Sequence, residues 1–365
     1  MNTRGFQTNQ DDYNQQILQR VSRSFALTIP QLPPTLSRTT TIGYLLCRIV
    51  DTIEDEKDLS VAEKYSFFKE FVDVVDGYAK AEAFAERLLP RLGENTLSAE
   101  KELVENCSLV IQAFLRLTSQ EQAILSRCVK IMSAGMLRFQ ELKSFQGLKD
   151  IAHVDSYCYH VAGVVGEMLT DLFCAYSPEI SKHRKKLYTL APSFGQGLQM
   201  TNILKDLWDD RKSGSCWLPG DVFQKHGYDL SRLSEYVYEP TFGRGLSELI
   251  GITCAHLKNA LTYTLMIPRH ETGIRKFCLW AIGMAVCTLG NIKKNPDYQS
   301  GSDVKISQKN TKAIIVTTNF TLRSNLLLKV LFNFYTRGFP PSDHVDTLQR
   351  CTPENIFLSR QNTLK

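Results

Sequence analysis

The chain has 365 residues, 43% of them apolar and 22% charged, enough to bury one large core or two modest ones. Its net charge of +5 is a mild excess, carried in short groups such as KHRKK at 182–186, so nucleic-acid binding is not expected. Ten cysteines without framework spacing argue against a disulfide-stapled secreted protein and for buried free thiols in a reducing, cytoplasmic setting.

Taken in order, residues 1–10 read as a flexible polar start, with no apolar signal core, and a helix follows to about residue 23. Pro30, Pro33 and Pro34 then break the chain before a helix over 35–56. Residues 60–90 read as helical, with a bend at Gly77 and a stop at Pro90. A helix is expected over 98–116, and a long amphipathic one over 119–143, where Ser119 and Gln122 resemble a capping box. A helix over 153–173 has Asp155 as its expected cap. It carries Gly163 and Gly166 mid-run, each costing about 1 kcal/mol against alanine, so close approach to a helix or a ligand must compensate. Gly195 and Gly197 thin the next helix, 188–210, in the same way.

Helices over 242–266 and 273–292 follow. The longest uncharged apolar run, 277–290, is too short to span a bilayer. A last helix ends near 335 and the rest reads as a tail. The expected architecture is all-α: one helical domain over 11–335, a bundle with a central cavity, flanked by the flexible start and the tail 336–365. The expected protein is soluble, with at most peripheral contact with a membrane, as a monomer or a weak homo-oligomer.

Two carboxylate clusters stand out. Asp51, Glu54 and Asp55 share one helical face, and Tyr44 and Arg48 extend it backwards. Asp206, Asp209 and Asp210 repeat the spacing, and Gln199 and Asn202 precede them on the same side. Like charges at four-residue spacing cost a few tenths of a kcal/mol per pair even on an exposed helix. Mg2+ is the usual compensation, because it takes carboxylates, water and substrate phosphates together. Two such faces would form a jaw that accepts a diphosphate through metal. Ordinary acidic helix ends are the alternative. Zinc is disfavoured by the absence of Cys-x-x-Cys and His-Glu-x-x-His. No Ser-His-Asp or Cys-His arrangement stands out, and the Gly-x-Gly at 195–197 lies inside a helical pattern rather than after a strand.

Four segments carry a resemblance over roughly residues 18–335: SRSFALTIPQLP at 22–33, YLLCRIVDTIEDE at 44–56, YCYHVAGVVGEMLTDLF at 157–173 and GQGLQMTNILKDLWDDRKSGSCWLP at 195–219. Together they resemble the head-to-head prenyl synthases, the squalene/phytoene synthase family, with wording nearer its squalene-forming branch. The resemblance implies an isoprenoid-synthase fold. Two farnesyl diphosphates would be joined through presqualene diphosphate, and NADPH would then reduce the product to squalene. A non-reducing synthase giving dehydrosqualene or phytoene is the alternative, followed by a non-catalytic scaffold of the same fold.

By the same resemblance, Mg2+ falls to Asp51, Glu54, Asp55, Asn202, Asp206 and Asp210. Substrate falls to Arg23, Tyr44, Arg48, Gln199, Asn202 and Lys205, with Arg23 as the diphosphate-binding arginine. Tyr157 takes part in the first half-reaction, and Phe277 is an aromatic of the site. Lys305, Lys309 and Lys312 stand where a basic flap meets the nicotinamide cofactor; a solvated basic loop is the other reading. Arg211 and Lys212 are placed to reach phosphate. One departure is visible, since Ile282 and Gly283 occupy the place of the Pro-Gln usual in animal and fungal members.

Overall fold

The computed structural model describes residues 3–22, 24–234 and 237–342. Among them there is no sheet; the single β-type contact is a bridge between Leu148 and Pro219. The helices are α1 (Thr3–Val21), α2 (Pro34–Asp55), α3 (Val61–Val75), α4 (Ala81–Leu88), α5 (Ser98–Glu105), α6 (Cys107–Phe114), α7 (Ser119–Gln140), α8 (Ile151–Cys158) and α9 (Val164–Tyr176). After these come α10 (Arg184–Lys205), α11 (Leu207–Lys212), α12 (Gly220–Lys225), α13 (Pro240–Met266), α14 (Thr272–Lys294), α15 (Gln308–Thr321) and α16 (Asn325–Tyr335), with one-turn helices between some of them.

They pack as two compact units, Met1–Glu141 with Asp171–Tyr176, and Leu142–Thr170 with Ser177–Lys365. No shift in composition marks this division.

In the first unit α2 is the central rod, packed against α1, α3, α5, α6 and α7. Its buried face (Leu45, Leu46, Ile49, Val50, Ile53) is continuous with the core. Beyond it Phe71 and Phe84 pack at 5.2 Å. Capping boxes open two of the neighbours: Ser60 with Glu63 at α3, and Thr118 with Glu121 at α7. The α7 cap thus falls one residue before the expected Ser119, since Thr118 is the residue whose hydroxyl accepts from the Glu121 amide at 3.3 Å. Glu121 also accepts from the Thr39 hydroxyl of α2 at 2.7 Å, so the cap joins two helices. The expected helix over 98–116 breaks at Asn106. At the other end of the unit α1 starts at Thr3, so its backbone is helical through most of the expected flexible start, no proline standing in its way.

In the second unit α10 is the central rod, packed against α13, α14 and the π-helical stretch Tyr159–Gly163 that joins α8 to α9. The glycines explain how. A Cβ on Gly166 would stand 2.3 Å from the Ala191 carbonyl oxygen, and one on Gly195 would stand 2.2 Å from that of Ala162. Two backbones meet with nothing between them, so the compensation for helical glycine is a partner helix. Asp155 is not the cap. Asp150 is, its carboxylate accepting from the His153 amide at 3.0 Å, while Asp155 is buried and accepts from the Gln196 amide of α10.

Helix α14 runs 23 residues, longer than its uncharged stretch, and by length and composition could cross a membrane; most of it is buried against α10, α13 and α15. Past α16, Pro340 and Pro341 return onto α13, their carbonyls within about 3 Å of where a Cβ on Gly251 would stand. The expected tail therefore begins packed; residues 343–365 lie outside the described residues. The described cysteines are free thiols, buried or half-buried.

Replacing Gly195 with alanine should cost ~2 kcal/mol or more in urea unfolding, because backbone rather than a movable side chain blocks the methyl. Gly214→Ala is the control: nothing lies within 4 Å, and only its φ of +81° is strained, worth about 1 kcal/mol. Equal midpoints for the two variants would rule out the backbone contact.

Candidate functional site

The two acidic motifs fall one in each unit. On α2, every residue from Thr39 to Ile53 is buried except Tyr44, Arg48 and Asp51, and Asp55 beyond them is exposed. The i, i+4, i+7, i+11 line expected from spacing is therefore the only accessible line on that stretch. Tyr44 donates to the Val21 carbonyl at 3.2 Å and packs on Phe25 at 5.3 Å. Arg48 donates to Glu100 through Nη2 and to Asp51 through Nη1 at 3.5 Å. Burial alone would lower its pKa, but Asp51 and Glu100 together raise it, so the guanidinium stays charged. Its Nε is buried with no hydrogen-bond partner among the described residues.

Asp51 is pushed up to about 7, mainly by burial; Arg48 opposes this and Asp55 adds to it. A carboxyl about half-protonated at pH 7 beside a second carboxylate is a place where added positive charge would be favourable. Glu54 is placed differently from its neighbours. A rotation of roughly 100° per residue turns it inward, where its carboxylate accepts from the Gln140 amide at 3.0 Å and its carbonyl accepts from Lys64. Glu100 was not visible in advance, being one of several glutamates on a charged helix.

On α10 and α11, the accessible residues from Gly195 to Asp210 are Leu198, Gln199, Asn202, Lys205, Asp206, Asp209 and Asp210. They too form one line. The expected continuous helix is broken at Asp206, whose φ of −95° and ψ of 11° end α10 and start α11. Two residues pin the break. Tyr298 donates its hydroxyl to the Leu204 carbonyl, one of those a helix end leaves unpaired, and Trp208 donates to the Tyr298 carbonyl at 2.6 Å. The one-turn helix Gly301–Val304 lies alongside, a Cβ on Gly301 falling 2.9 Å from Asp206 Oδ1.

Lys205 reaches Asp206 at 3.1 Å and the Asn202 side-chain oxygen at 3.4 Å. Burial raises the Asp206 pKa; Lys205 lowers it, Asp209 raises it, and Lys305 lowers it again. Lys305 is thus within electrostatic reach of the acidic line, while Lys309 and Lys312 stand exposed in the first turns of α15. Arg211 does not face a ligand. It donates to the carbonyls of Phe145 and Leu233 at 3.0 and 2.6 Å and lies over the Phe145 ring.

Tyr157, on α8 just before the π-helical stretch, is buried and stacked on Trp217 with ring centroids 4.2 Å apart and planes at 4°. Trp217 had no signal beyond its place in CWLP. Phe277 is buried on α14. Ile282 and Gly283 line an apolar cleft with α15 and α16, and a Cβ on Gly283 would stand 2.7 Å from Ile314, so packing explains a small residue at that departure. Arg23 lies outside the described residues.

Among the described residues no three His, Cys, Asp or Glu side chains come together as a ligand cluster; each unit offers a carboxylate pair. A pair suits a cation that fills most of its octahedron with water and phosphate oxygens.

The family model described as squalene/phytoene synthase matches residues 18–310. The squalene synthase of Eremothecium gossypii is 28% identical over 313 residues, 82% of this chain and 66% of that protein. Squalene synthase BSS of Botryococcus braunii is 29% identical over 316 residues, 83% of this chain and 64% of that protein. The matched span is thus a little under two thirds of each relative's own length. Among solved structures, a ligand complex of TcSQS superposes with a TM-score of 0.72 at 22% identity, covering 97% of this chain and 99% of that one.

Asp51 also sets a pH dependence. Its folded pKa lies above the unfolded value of about 3.9, so the folded state holds the extra proton between those values. The resulting penalty is absent below about pH 4, grows as pH rises, and is complete above about 7. In chelator, Asp51→Asn should therefore be more stable than the parent at pH 8, by ~1–2 kcal/mol after discounting for a side chain 31% exposed, and no more stable at pH 4. A gain that does not change with pH would contradict this origin.

Proposed function

The chain belongs to the squalene/phytoene synthase family, and on that premise we propose that it joins two farnesyl diphosphates head to head and reduces the product to squalene. The observation that carries this reading is the pair of accessible lines, each bearing two carboxylates at four-residue spacing on an otherwise buried helix. Asp51 and Asp55 on one, and Asp206 and Asp210 with Asn202 on the other, are the residues that would hold Mg2+. When bound, Mg2+ supplies the charge that weakens an allylic carbon–oxygen bond and accepts the departing diphosphate.

The chain's own groups do the rest. Arg48, kept charged by Glu100 and Asp51, and Lys205 offer cationic donors to phosphate oxygens, and by family resemblance Arg23 does the same. By family resemblance Tyr44 on the first line, and Gln199 and Asn202 on the second, contact substrate. C1 of the first farnesyl group bonds to the C2–C3 double bond of the second; one diphosphate and one proton leave, and presqualene diphosphate results. The stacked Tyr157–Trp217 pair presents aromatic faces suited to a carbocation, and the Tyr157 hydroxyl or the released diphosphate takes the proton. By family resemblance Phe277, buried on α14, is an aromatic of the site, and the surroundings of the cation must exclude water because water would trap it as an alcohol.

In the second half-reaction the remaining diphosphate leaves and a hydride ends the rearrangement. NADPH, when bound, supplies that hydride, and Lys305, Lys309 and Lys312 are the donors for its phosphates.

Product analysis from farnesyl diphosphate and Mg2+, with and without NADPH, tests the reading. Squalene only with NADPH is expected. Dehydrosqualene under both conditions would place the chain among non-reducing synthases, and no C30 product would point to a C20 substrate or to a scaffold. Asp206→Asn should lower diphosphate release by a factor of about 10²–10³ with the fold intact. Normal turnover by that variant would remove Asp206 from the metal set.

A further inference from the structure

Helices α15 and α16 touch the rest of their unit through few side chains. Thr318 is buried on the first, and Leu328 and Phe332 on the second. Ile314, Thr317 and Leu331 are half-buried along the cleft, and several large apolar side chains between 316 and 335 are exposed. Of the seventeen large hydrophobic side chains exposed among the described residues, seven lie between Val316 and Tyr335, so the exposure is concentrated in these two packed helices and is not the scatter normal on a surface. Phe320 is 86% exposed, and Leu326, Val330 and Phe334 form a four-residue stripe along α16 at 71%, 57% and 69%. An apolar cleft between α13, α14, α15 and α16 opens beside Tyr335.

Charge around the patch is one-sided. From Val304 to Ser342 there is no aspartate or glutamate, while Lys305, Lys309, Lys312, Arg323, Lys329 and Arg337 are all present. Arg323 lies in the turn between the two helices, Lys329 beside Val330, and Arg337 one turn past Phe334, and all are exposed. Apolar side chains at the centre with cations between and beyond them match a surface that is oily beneath an anionic layer. A second copy would bring the same cations against these. Residues 343–365 bring two acidic groups near their start, Asp343 and Asp346, and later Glu354, against Arg350, Arg360 and Lys365, so they offer little net complement.

We propose that the outward face of α15 and α16 docks on an anionic phospholipid membrane, with Phe320, Leu326, Val330 and Phe334 entering the interface and Arg323, Lys329 and Arg337 meeting lipid phosphates. Such a surface gives the second unit a contact with the phase in which a long hydrocarbon product dissolves, but the docking itself needs no catalysis and stands apart from the proposed reaction.

The test is sedimentation of the full chain with vesicles, either phosphatidylcholine alone or phosphatidylcholine with about one third phosphatidylserine. Binding is expected to the anionic vesicles only and to fall at high salt. The double variant Val330→Gln, Phe334→Gln should reduce the bound fraction at least about fivefold, as should Arg323→Gln, Lys329→Gln, Arg337→Gln, with far-UV circular dichroism and melting unchanged because every altered side chain is exposed. Absence of binding by the folded parent, or binding equal in parent and variants, overturns the proposal. Two other results overturn it in favour of another occupant: the apolar variant dissociating a dimer seen by analytical ultracentrifugation, or leaving vesicle binding intact while exposing residues 343–365 to protease.

Discussion

The Ala162 and Ala191 carbonyls occupy the space that side chains would need at Gly195 and Gly166, and much of the second unit follows from that approach. With the two backbones in contact, α8 and the π-helical stretch are fixed along α10, so Gln196 can reach the buried carboxylate of Asp155. The same approach holds Tyr157 at a set height beside the rod that ends in Asp206. Pro192 sits inside α10 near this contact, where its Cα and Cβ would be 3.4 Å from a Cβ on Gly163. Helical propensity is poor at Gly163, Gly166, Pro192 and Gly195. The sequence tolerates it because separation, not local stability, is what the packing demands.

The first unit answers a different constraint. Its α2 is buried on nearly all sides, and only one line of side chains meets solvent. Three of the four residues on that line are ionic, and they are not equivalent. Arg48 is shared between Glu100 and Asp51, whereas Asp206 on the other unit has a lysine as its immediate neighbour in sequence. Burial raises both carboxyls, but the cations that oppose it differ: Arg48 at Asp51, and Lys205 with Lys305 at Asp206. A symmetric drawing of two acidic motifs would miss this.

Much of this was legible, and the reason is periodicity. Tyr44, Arg48, Asp51 and Asp55, and likewise Gln199, Asn202, Asp206 and Asp210, are separated by helical intervals, so one polar face could be drawn through each set before any coordinates. Glu54 fell within the same acidic cluster and yet is turned inward, because one position of rotation exchanged the surface for the contact with Gln140. The break at Asp206 was invisible for a different reason. Nothing at 205–207 is a helix breaker; its cause is Tyr298, about ninety residues away. Trp217 under Tyr157 and Glu100 beside Arg48 are likewise products of tertiary approach. The caps show how small the local margin is, since Thr118-Glu121 and Ser119-Gln122 are both plausible boxes one residue apart.

The anchoring of the Asp206 break by Tyr298 has a consequence for the order in which the protein is made. The partners of Asp51, Arg48 and Glu100, and the α7 cap lie within the first 141 residues, and the unit is completed by Asp171–Tyr176. Asp206 and Asp210 are synthesised long before the residues that fix them, and wait for Tyr298 and the helix at Gly301. The contact between Tyr298 and Leu204 closes a loop of more than ninety residues, and ordering that loop costs entropy that a local contact would not.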